Sequence, residues 1–318
     1  MQLTTTVKTE NILVLGAGEL GTQVLRELAS MAAGREKTHI SVLLRASAIT
    51  TQDVMKKRAL EEFQSLGIRI VQADVINDTV EKLAEYFRPF DTVISCVGFI
   101  AGAGTQLKLT HAALKAEVKR YVPWQFGVDY DVIGKGSPQD LFDEQLEVRE
   151  LLRAQRTTEW LIISTGMFTS FLFEPVFGVV DLAKNTVRAL GTWDTQVTVT
   201  TPEDIGKLTA NIIFTEPHLA NQVIFVAGDT LSYRQLADTL DQKLDRTLSR
   251  VQWSVSELND ELATAPDDSM RKYRAVFAHG KGVAWDKTQT FNAAHGLDLT
   301  TTADWIEQNL LPGKRSSV

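Results

Sequence analysis

The segment NILVLGAGELGTQVLREL, Asn11–Leu28, contains an apolar run, three glycines and a helical pattern. The short apolar run is typical of a strand that is buried on both faces. Leucine and valine then recur at helical spacing, which predicts an amphipathic helix. Gly16, Gly18 and Gly21 form the motif G-x-G-x-x-G. This motif indicates dinucleotide binding where it follows a strand and opens a helix. The segment therefore predicts a dinucleotide-binding turn.

Each glycine has its own expected role in such a turn. Gly16 makes the tight bend, Gly18 lets the backbone approach a pyrophosphate, and Gly21 lets the helix pack closely on the strand. The backbone at Glu19 and Leu20 begins the helix, where N–H groups are expected to hold the anion. A glycine turn that binds no ligand is the alternative that the motif alone leaves open.

Strand-like and helical patterns alternate from this motif to Ser164. The predicted strands are Asn11–Leu15, His39–Leu44, Ile68–Val75, Asp91–Gly98, Arg120–Trp124 and Glu159–Ser164. Six alternating strands predict an α/β fold with a doubly wound parallel Rossmann sheet.

After Thr165 the alternation weakens, which predicts a smaller C-terminal substrate lobe over the ends of the strands. Short strands are expected at Gln196–Thr200 and Gln222–Val226, and helices include Pro202–Phe214 and Thr302–Leu310. We predict a dinucleotide-binding domain over residues 1–165 and the substrate lobe over residues 166–318, with strands and helices that return to the main sheet.

Composition limits the class of function. The 318 residues carry a net charge of −7 at pH 7, which argues against a nucleic-acid surface. The single cysteine excludes an intrachain disulfide. No apolar run reaches the ~20 residues of a membrane span, and the amino-terminal segment lacks the apolar centre of a signal peptide. We therefore expect a soluble, cytoplasmic monomer or homodimer whose partner is a small molecule, with no nucleic acid and no membrane.

The residue after the second predicted strand separates NAD from NADP binding. NAD-binding proteins usually place an acid there, whereas this chain has Arg45 in SVLLRAS. A guanidinium suits a 2′-phosphate because it forms charge-assisted hydrogen bonds. Ser47 can add a hydrogen bond, and Lys56 or Lys57 can add charge, although either lysine is equally expected as helix surface. The sequence therefore favours NADP(H) over NAD.

Further cofactor contacts are expected where the third and fourth predicted strands end. Asp74 and Val75 are placed at the adenine, although Asp74 is equally suited to cap the next helix. Cys96, Val97 and Gly98 are placed beside the cofactor ribose. Free cysteine behaves as a buried hydrophobe, so Cys96 is expected to be a filler rather than a nucleophile. The five histidines lack ligand spacing, and no metal site is predicted.

The segments LVLGAGELG, LLRAS, VPWQFGVD and FDEQLEVRELLRAQ resemble the isoflavone reductase-like and NmrA-like family of atypical short-chain dehydrogenases. In that family a Pro-Ser-Glu-Phe-Gly-like segment follows the fifth strand and faces the nicotinamide. The corresponding residues here are PWQFG. The resemblance therefore implies that Gln125 and Phe126 lie at the cofactor, while the family's serine and glutamate are replaced.

The resemblance also implies a lysine at the start of the next long helix, where it acts as a general acid or base or organises the proton path. Alignment on VRELL places Gln145 there, and glutamine supplies no proton at neutral pH. A Tyr-x-x-x-Lys pair is also absent, because Tyr130 and Lys135 are one residue too far apart. Asp129, Tyr130 and Gln145 are therefore the catalytic candidates.

An aromatic segment follows the sixth predicted strand. Met167, Phe168 and Phe171 are expected either to provide hydrophobic packing between the two lobes or to form an apolar wall for a ring-shaped substrate. Trp124 is a candidate for the same wall.

Three functions fit these observations. The first is an NADPH-dependent reductase of a small aromatic or polyketide-like secondary metabolite, with hydride transfer to an activated C=C, C=N or C=O. Activated acceptors need less acid from the protein, which agrees with the absent lysine. The alternatives are an NADP(H)-binding regulatory sensor without turnover and a non-redox isomerase or cyclase. The reductase is the leading hypothesis.

Overall fold

The computed structural model describes residues 9–35 and 37–311. Residues 1–8, in which no signal peptide was expected, lie outside this part. The strands are β1 Glu10–Leu15, β2 Thr38–Leu44, β3 Arg69–Gln72, β4 Thr92–Ser95, β5 Arg120–Val122, β6 Glu159–Ser164, β7 Met167–Phe168, β8 Val180–Asp181, β9 Thr186–Leu190, β10 Gln196–Thr200, β11 Gln222–Phe225, β12 Asp229–Ser232 and β13 Ser249–Trp253.

The helices alternate with these strands in the first half of the chain and cluster in the second half. They are α1 Glu19–Ala32, α2 Ala46–Ile49, α3 Val54–Ser65, α4 Val80–Phe87, α5 Thr105–Ala116, α6 Tyr130–Ile133, α7 Leu141–Arg153, α8 Pro202–Phe214, α9 Tyr233–Leu244, α10 Val255–Thr264, α11 Ser269–Ala278, α12 Phe291–Ala294 and α13 Thr302–Leu310. Among the described residues, no helix combines the length and the apolarity that a membrane span requires.

A seven-stranded sheet has the order β11-β6-β5-β4-β1-β2-β3. β1 pairs in parallel with both β2 and β4, so that Val14 lies between Val42 and Ile94. The predicted doubly wound parallel sheet is confirmed. The strand order reverses between β1 and β4, and such a reversal opens a crevice at the carboxyl ends of the strands. β11 adds a seventh strand to the six predicted ones, because the chain returns to the sheet beside β6.

Burial explains why β1 has a continuous apolar sequence. Its last four residues, from Ile12 to Leu15, are inaccessible to solvent. On α1, the buried residues include Leu20, Val24 and Leu28, which recur at the helical spacing expected from the sequence. The side chains of β1 and α1 thus position the glycine turn between them.

The chain forms two compact units, each assembled from three segments. The first contains the described residues of Met1–Gln125, Glu147–Ile163 and Ile205–Val223. The second contains Phe126–Leu146, Ser164–Asp204 and the described residues of Ile224–Val318. The second unit includes two three-stranded sheets, ordered β12-β10-β7 and β13-β9-β8. The division after residue 165 stays a prediction.

Candidate cofactor site

A cavity of about 410 Å³ lies in the first unit, where β1, β2, β3 and β4 end. It brings together most of the cofactor-binding residues that the sequence predicts. These are Gly16, Gly18, Arg45, Ser47, Asp74, Val75, Cys96, Val97 and Gly98. Residues that the sequence analysis did not select complete the wall, among them Leu60 and Phe63 of α3 and Ile76. The apolar side chains of Leu60 and Phe63 could have been anticipated from the helical spacing in α3.

The glycine turn has the geometry that the motif requires. Gly16 has a φ angle of +85°, a conformation that side chains disfavour. A Cβ atom at Gly21 would lie 2.3 Å from the carbonyl oxygen of Gly16, so the first turn of α1 closely approaches the end of β1. At Gly18, by contrast, no atom lies within 4 Å of the position that a Cβ would take.

This open space is a test of fit for a dinucleotide. The backbone at Gly18 faces a cavity rather than packed side chains, and α1 begins at the next residue. The first N–H groups of a helix lack partners within the helix and attract anions. Glu19 and Leu20 stand at this helix start but their side chains lie outside the lining, Glu19 exposed and Leu20 buried. The residues present therefore fit a pyrophosphate.

Arg45 follows the last residue of β2 and is the N-cap of α2. Its side chain is exposed and lines the cavity together with Ser47. The two lysines in α3 differ in position. Lys56 lines the cavity, whereas the Lys57 ammonium donates to Gln52 Oε1 at 2.8 Å. Of the two charges that the sequence left open, only that of Lys56 borders the site.

Asp74 lines the cavity and also holds the turn that follows β3. Its carboxylate accepts hydrogen bonds from the backbone N–H of Ile76 at 2.9 Å and from the side-chain amide of Asn77 at 2.8 Å. The Asn77 amide, chiefly, holds the pKa of Asp74 below its ordinary value. The expectation that Asp74 caps the next helix is wrong, because Thr79 caps α4 by accepting from the Lys82 N–H.

Cys96 is 9% exposed in the wall of the cavity. Burial raises the pKa of its thiol well above the ordinary value, so the reactive thiolate is strongly disfavoured. The expectation of a buried filler is confirmed.

Gln125 does not line the cavity. It is fully buried, and its side-chain oxygen accepts a hydrogen bond from Arg149 Nε at 2.7 Å. Arg149 is itself fully buried in α7, within the segment VRELL. Sequence reasoning missed this pair, because a single arginine in a helix is most often exposed. The contact anchors Gln125, the middle residue of the PWQFG segment, to the part of α7 that lies in the first unit. Phe126, the next residue, is also buried and outside the lining.

The three catalytic candidates all belong to the second unit. Gln145 is fully buried in α7, so it is not a solvent-facing residue of the helix surface. Tyr130 is 1% exposed, and its ring contacts Phe142 edge-on with the centroids 5.0 Å apart. A Cβ atom at Gly127 would lie 2.5 Å from the Tyr130 hydroxyl oxygen, so this hydroxyl occupies the space beside the glycine.

Asp129 is half-buried at the amino end of α6, and its backbone N–H donates to the carbonyl of Gly282 at 2.8 Å. Another carboxylate of the second unit, Asp143, accepts from the backbone N–H of Gly136 at 3.0 Å. Asp143 thereby ties the glycine-containing loop before α7 to the first turn of that helix.

The aromatic segment packs within the second unit. Met167 is 7% exposed and pairs with Val199 across β7 and β10. The ring centroid of Phe171 lies 4.7 Å from that of Phe177 and 5.8 Å from that of Tyr273. These contacts join residues of the second unit, so packing between the lobes stays a prediction. Phe168 and Phe171 remain half-buried, so an apolar substrate wall stays a prediction.

Trp124 lies beside the cavity in the first unit. Its ring contacts that of Phe99 edge-on, with centroids 4.6 Å apart and an interplanar angle of 75°. Within the described part of the chain, no cluster of three or more His, Cys, Asp or Glu side chains has the arrangement of a metal site.

Comparisons with known proteins agree with this architecture. The model of the NmrA-like family matches residues 8–301. A protein of Gibberella moniliformis (strain M3125 / FGSC 7600), described as an NmrA-like family domain-containing oxidoreductase, is 49% identical over 299 residues. The match covers 94% of this chain and 97% of that protein.

Solved structures show the same fold. A crystal structure of isoflavone reductase has a TM-score of 0.78 at 22% identity and covers 95% of this chain and 99% of its own. The binary complex of leucoanthocyanidin reductase with NADPH, from Vitis vinifera, has a TM-score of 0.75 at 20% identity, with coverages of 94% and 98%. At these identities the structures support the fold alone.

Proposed function

The chain belongs to the NmrA-like family, and we propose that it is an NADPH-dependent reductase of a small aromatic or polyketide-like metabolite. The observation that carries the proposal is Arg45, which lines the cavity after β2 where NAD-binding proteins usually have an acid. The description of the Gibberella moniliformis relative as an oxidoreductase and the NADPH complex of the Vitis vinifera reductase support it.

The cavity would offer separate partners for three parts of the cofactor. The backbone at Gly18 and the start of α1 would hold the pyrophosphate, because open space and helix N–H groups coincide there. Arg45 and Lys56 would hold the 2′-phosphate, and the apolar side chains of Leu60 and Ile76 would contact the adenine. NADPH, when bound, supplies a hydride.

The remaining roles belong to the second unit. Gln145 would orient the substrate or a water molecule by hydrogen bonds, because its amide carries no proton that titrates near neutral pH. Asp129 and Tyr130 are the other candidates of the second unit, and they would hold a proton. Met167, Phe168 and Phe171 remain candidates for an apolar substrate wall.

The decisive experiment compares NADPH and NADH. A charge-assisted contact between Arg45 and the 2′-phosphate is worth about 1.5–3 kcal/mol, so NADPH is expected to bind at least about tenfold more tightly than NADH. Arg45→Ala should remove most of this preference by weakening NADPH alone. The Kd values are measured by fluorescence or calorimetric titration.

Arg58→Ala is the matched control, because Arg58 is an exposed arginine of α3 outside the cavity lining. It should leave both Kd values and their ratio unchanged. Equal dissociation constants of the two cofactors for the unmodified protein would contradict NADP specificity, and no binding of either would overturn the proposal.

A regulatory sensor that binds NADP(H) without turnover is the second candidate. The observation that favours it is Gln145, which is buried and cannot supply a proton at the position implied for a lysine. A protein that binds NADPH yet fails to oxidise it with activated alkenes, imines and quinones would favour the sensor. Oxidation of NADPH at a rate that depends on the acceptor would favour the reductase.

A further inference from the structure

Trp124 rests on the backbone at one end of the cofactor cavity. A Cβ atom at Gly98, a cavity-lining residue, would lie 3.2 Å from Cζ2 and 3.7 Å from Nε1 of Trp124. The indole therefore contacts Gly98 directly, and its N–H edge lies at the same place. Phe99 packs edge-on against the indole, and both aromatic side chains are half-buried. The pair forms an aromatic surface beside Gly98.

The indole N–H of Trp124 makes no hydrogen bond to the residues that the structure describes, and it is not enclosed. An indole nitrogen only donates, and it normally has a partner when it is shielded from water. Trp285 shows the usual arrangement, because its Nε1 donates to the carbonyl of Val226 at 3.1 Å. Trp124 thus presents a hydrogen-bond donor together with an aromatic surface. The ring packs on Gly98, and the N–H group has no acceptor there among the described residues.

We propose that Trp124 determines substrate specificity by donating its indole N–H to an oxygen of an aromatic substrate, whose ring packs against Trp124 and Phe99. The inference rests on the reductase function proposed above and defines the substrate class as a planar ring that bears a phenolic oxygen. Aromatic rings pack edge-on or offset against one another, as Trp124 and Phe99 themselves do at an interplanar angle of 75°. An aliphatic molecule with the same reactive group lacks both the ring and the phenolic oxygen.

Indole NMR signals provide the test. The six tryptophans give six indole N–H signals in ¹⁵N-labelled protein, and the signal absent from Trp124→Phe identifies Trp124. The protein saturated with NADP⁺ is titrated with 4-hydroxybenzylideneacetone, a phenolic enone. A parallel titration uses 3-octen-2-one, an aliphatic enone. The phenolic enone should shift the Trp124 signal, whereas the aliphatic enone should not. The other five signals are internal controls.

Affinity gives a second readout. Trp124→Phe keeps a ring but removes the donor, so it should weaken binding of the phenolic enone by about tenfold. Phe99→Leu removes the neighbouring ring and should also weaken it. The Kd of NADP⁺, measured separately, should stay within about twofold in both variants, since the proposed contacts involve the substrate. If Trp124→Phe does not fold, Trp124→Leu replaces it, which removes the donor and the ring together and should weaken binding at least as much.

The outcomes separate the inference from the function on which it rests. If NADP⁺ binds but the phenolic enone leaves the Trp124 signal unmoved up to its solubility limit, the inference is overturned and the cofactor assignment stands. Equal shifts with both enones would also overturn it, because they would show no preference for an aromatic ring. Failure of NADP⁺ to bind the unmodified protein would overturn the proposed function and the inference together.

Discussion

At the residue scale, Gly18 is a position where a substitution is expected to change ligand binding without changing folding. No atom lies within 4 Å of the Cβ position, and the backbone φ and ψ of −75° and −160° are extended and accessible to any residue. Gly18→Val is therefore expected to fold normally, but its side chain would occupy the space proposed for the pyrophosphate and abolish NADPH binding. Circular dichroism checks that the variant folds, and cofactor titration checks that it no longer binds NADPH. A folded variant that binds NADPH as the unmodified protein does would show that the glycine turn has another role.

Gln145 provides a residue-scale test of the catalytic assignment. If it positions the substrate or a water by one hydrogen bond worth about 1–3 kcal/mol, Gln145→Ala should lower turnover roughly tenfold to a hundredfold. Gln145→Lys restores the residue that the family resemblance implies and should bring measurable reduction of simple activated carbonyls. Steady-state NADPH oxidation with an identified acceptor compares the three proteins. Identical rates would place Gln145 outside the site.

Cys96 gives a test that does not depend on a substrate. Its thiol is buried and its pKa is raised, so little thiolate is present at pH 8 and the nucleophile is shielded. Because the chain has a single cysteine, intact mass reports its modification directly. Iodoacetamide should label the unfolded protein fully and the native protein far more slowly. Native labelling at the rate of a free thiol would contradict the described burial.

At the scale of elements, the contact between β1 and α1 limits the substitutions that the turn accepts. A Cβ atom at Gly21 would approach the backbone oxygen of Gly16 to 2.3 Å, and a backbone atom cannot rotate away. Gly21→Ala should lower the free energy of unfolding by about 1–3 kcal/mol, as overpacking does. Gly34→Ala is the control, since no atom lies within 4 Å of its Cβ position. Thermal unfolding should show a lower Tm for Gly21→Ala only, and equal Tm values for both variants would contradict the close contact.

The sequence predicted elements well where one periodic pattern was long enough. The elements β6, β10, α8 and α13 have the predicted bounds. β6 has a continuous apolar run, β10 alternates apolar and polar residues, and the two helices have apolar residues at helical spacing. The short strands of the second unit were missed for the opposite reason. β7 and β8 have two residues each, and four of the five residues of β13 are exposed, so no pattern distinguishes them from loops.

The candidate site shows the same limit. The lining residues at strand ends were predictable, since the carboxyl ends of parallel strands meet at one edge of a sheet. The role of Gln125 was not, because its partner Arg149 comes from a distant helix and only the fold brings them together.

At the scale of the whole molecule, each unit is assembled from separate segments of the chain, which determines whether a fragment such as residues 1–165 can fold alone. From Ile205 onward, α8 belongs to the first unit although it follows residue 165. A Cβ atom at Gly206 of α8 would lie 2.7 Å from the backbone of Gln23 in α1, so the two helices are in direct contact. Arg35 also donates to the carbonyl of Phe214 at 3.2 Å. A fragment of residues 1–165 loses these contacts and exposes the surface that α8 covers.

The cost of that loss is comparable with the stability of a typical domain. Ile205, Leu208 and Ile212 of α8 are almost inaccessible to solvent, and burying each such side chain contributes about 1.5–3 kcal/mol. Domains are stable by only about 5–15 kcal/mol. We therefore expect residues 1–165 to form a poorly folded fragment that binds NADPH at least about a hundredfold more weakly than the full chain, which corresponds to about 2.7 kcal/mol. Circular dichroism, thermal unfolding and cofactor titration of the fragment and the full chain measure the difference. A cooperative unfolding transition and a full-chain affinity in the fragment would instead establish residues 1–165 as an autonomous cofactor-binding domain.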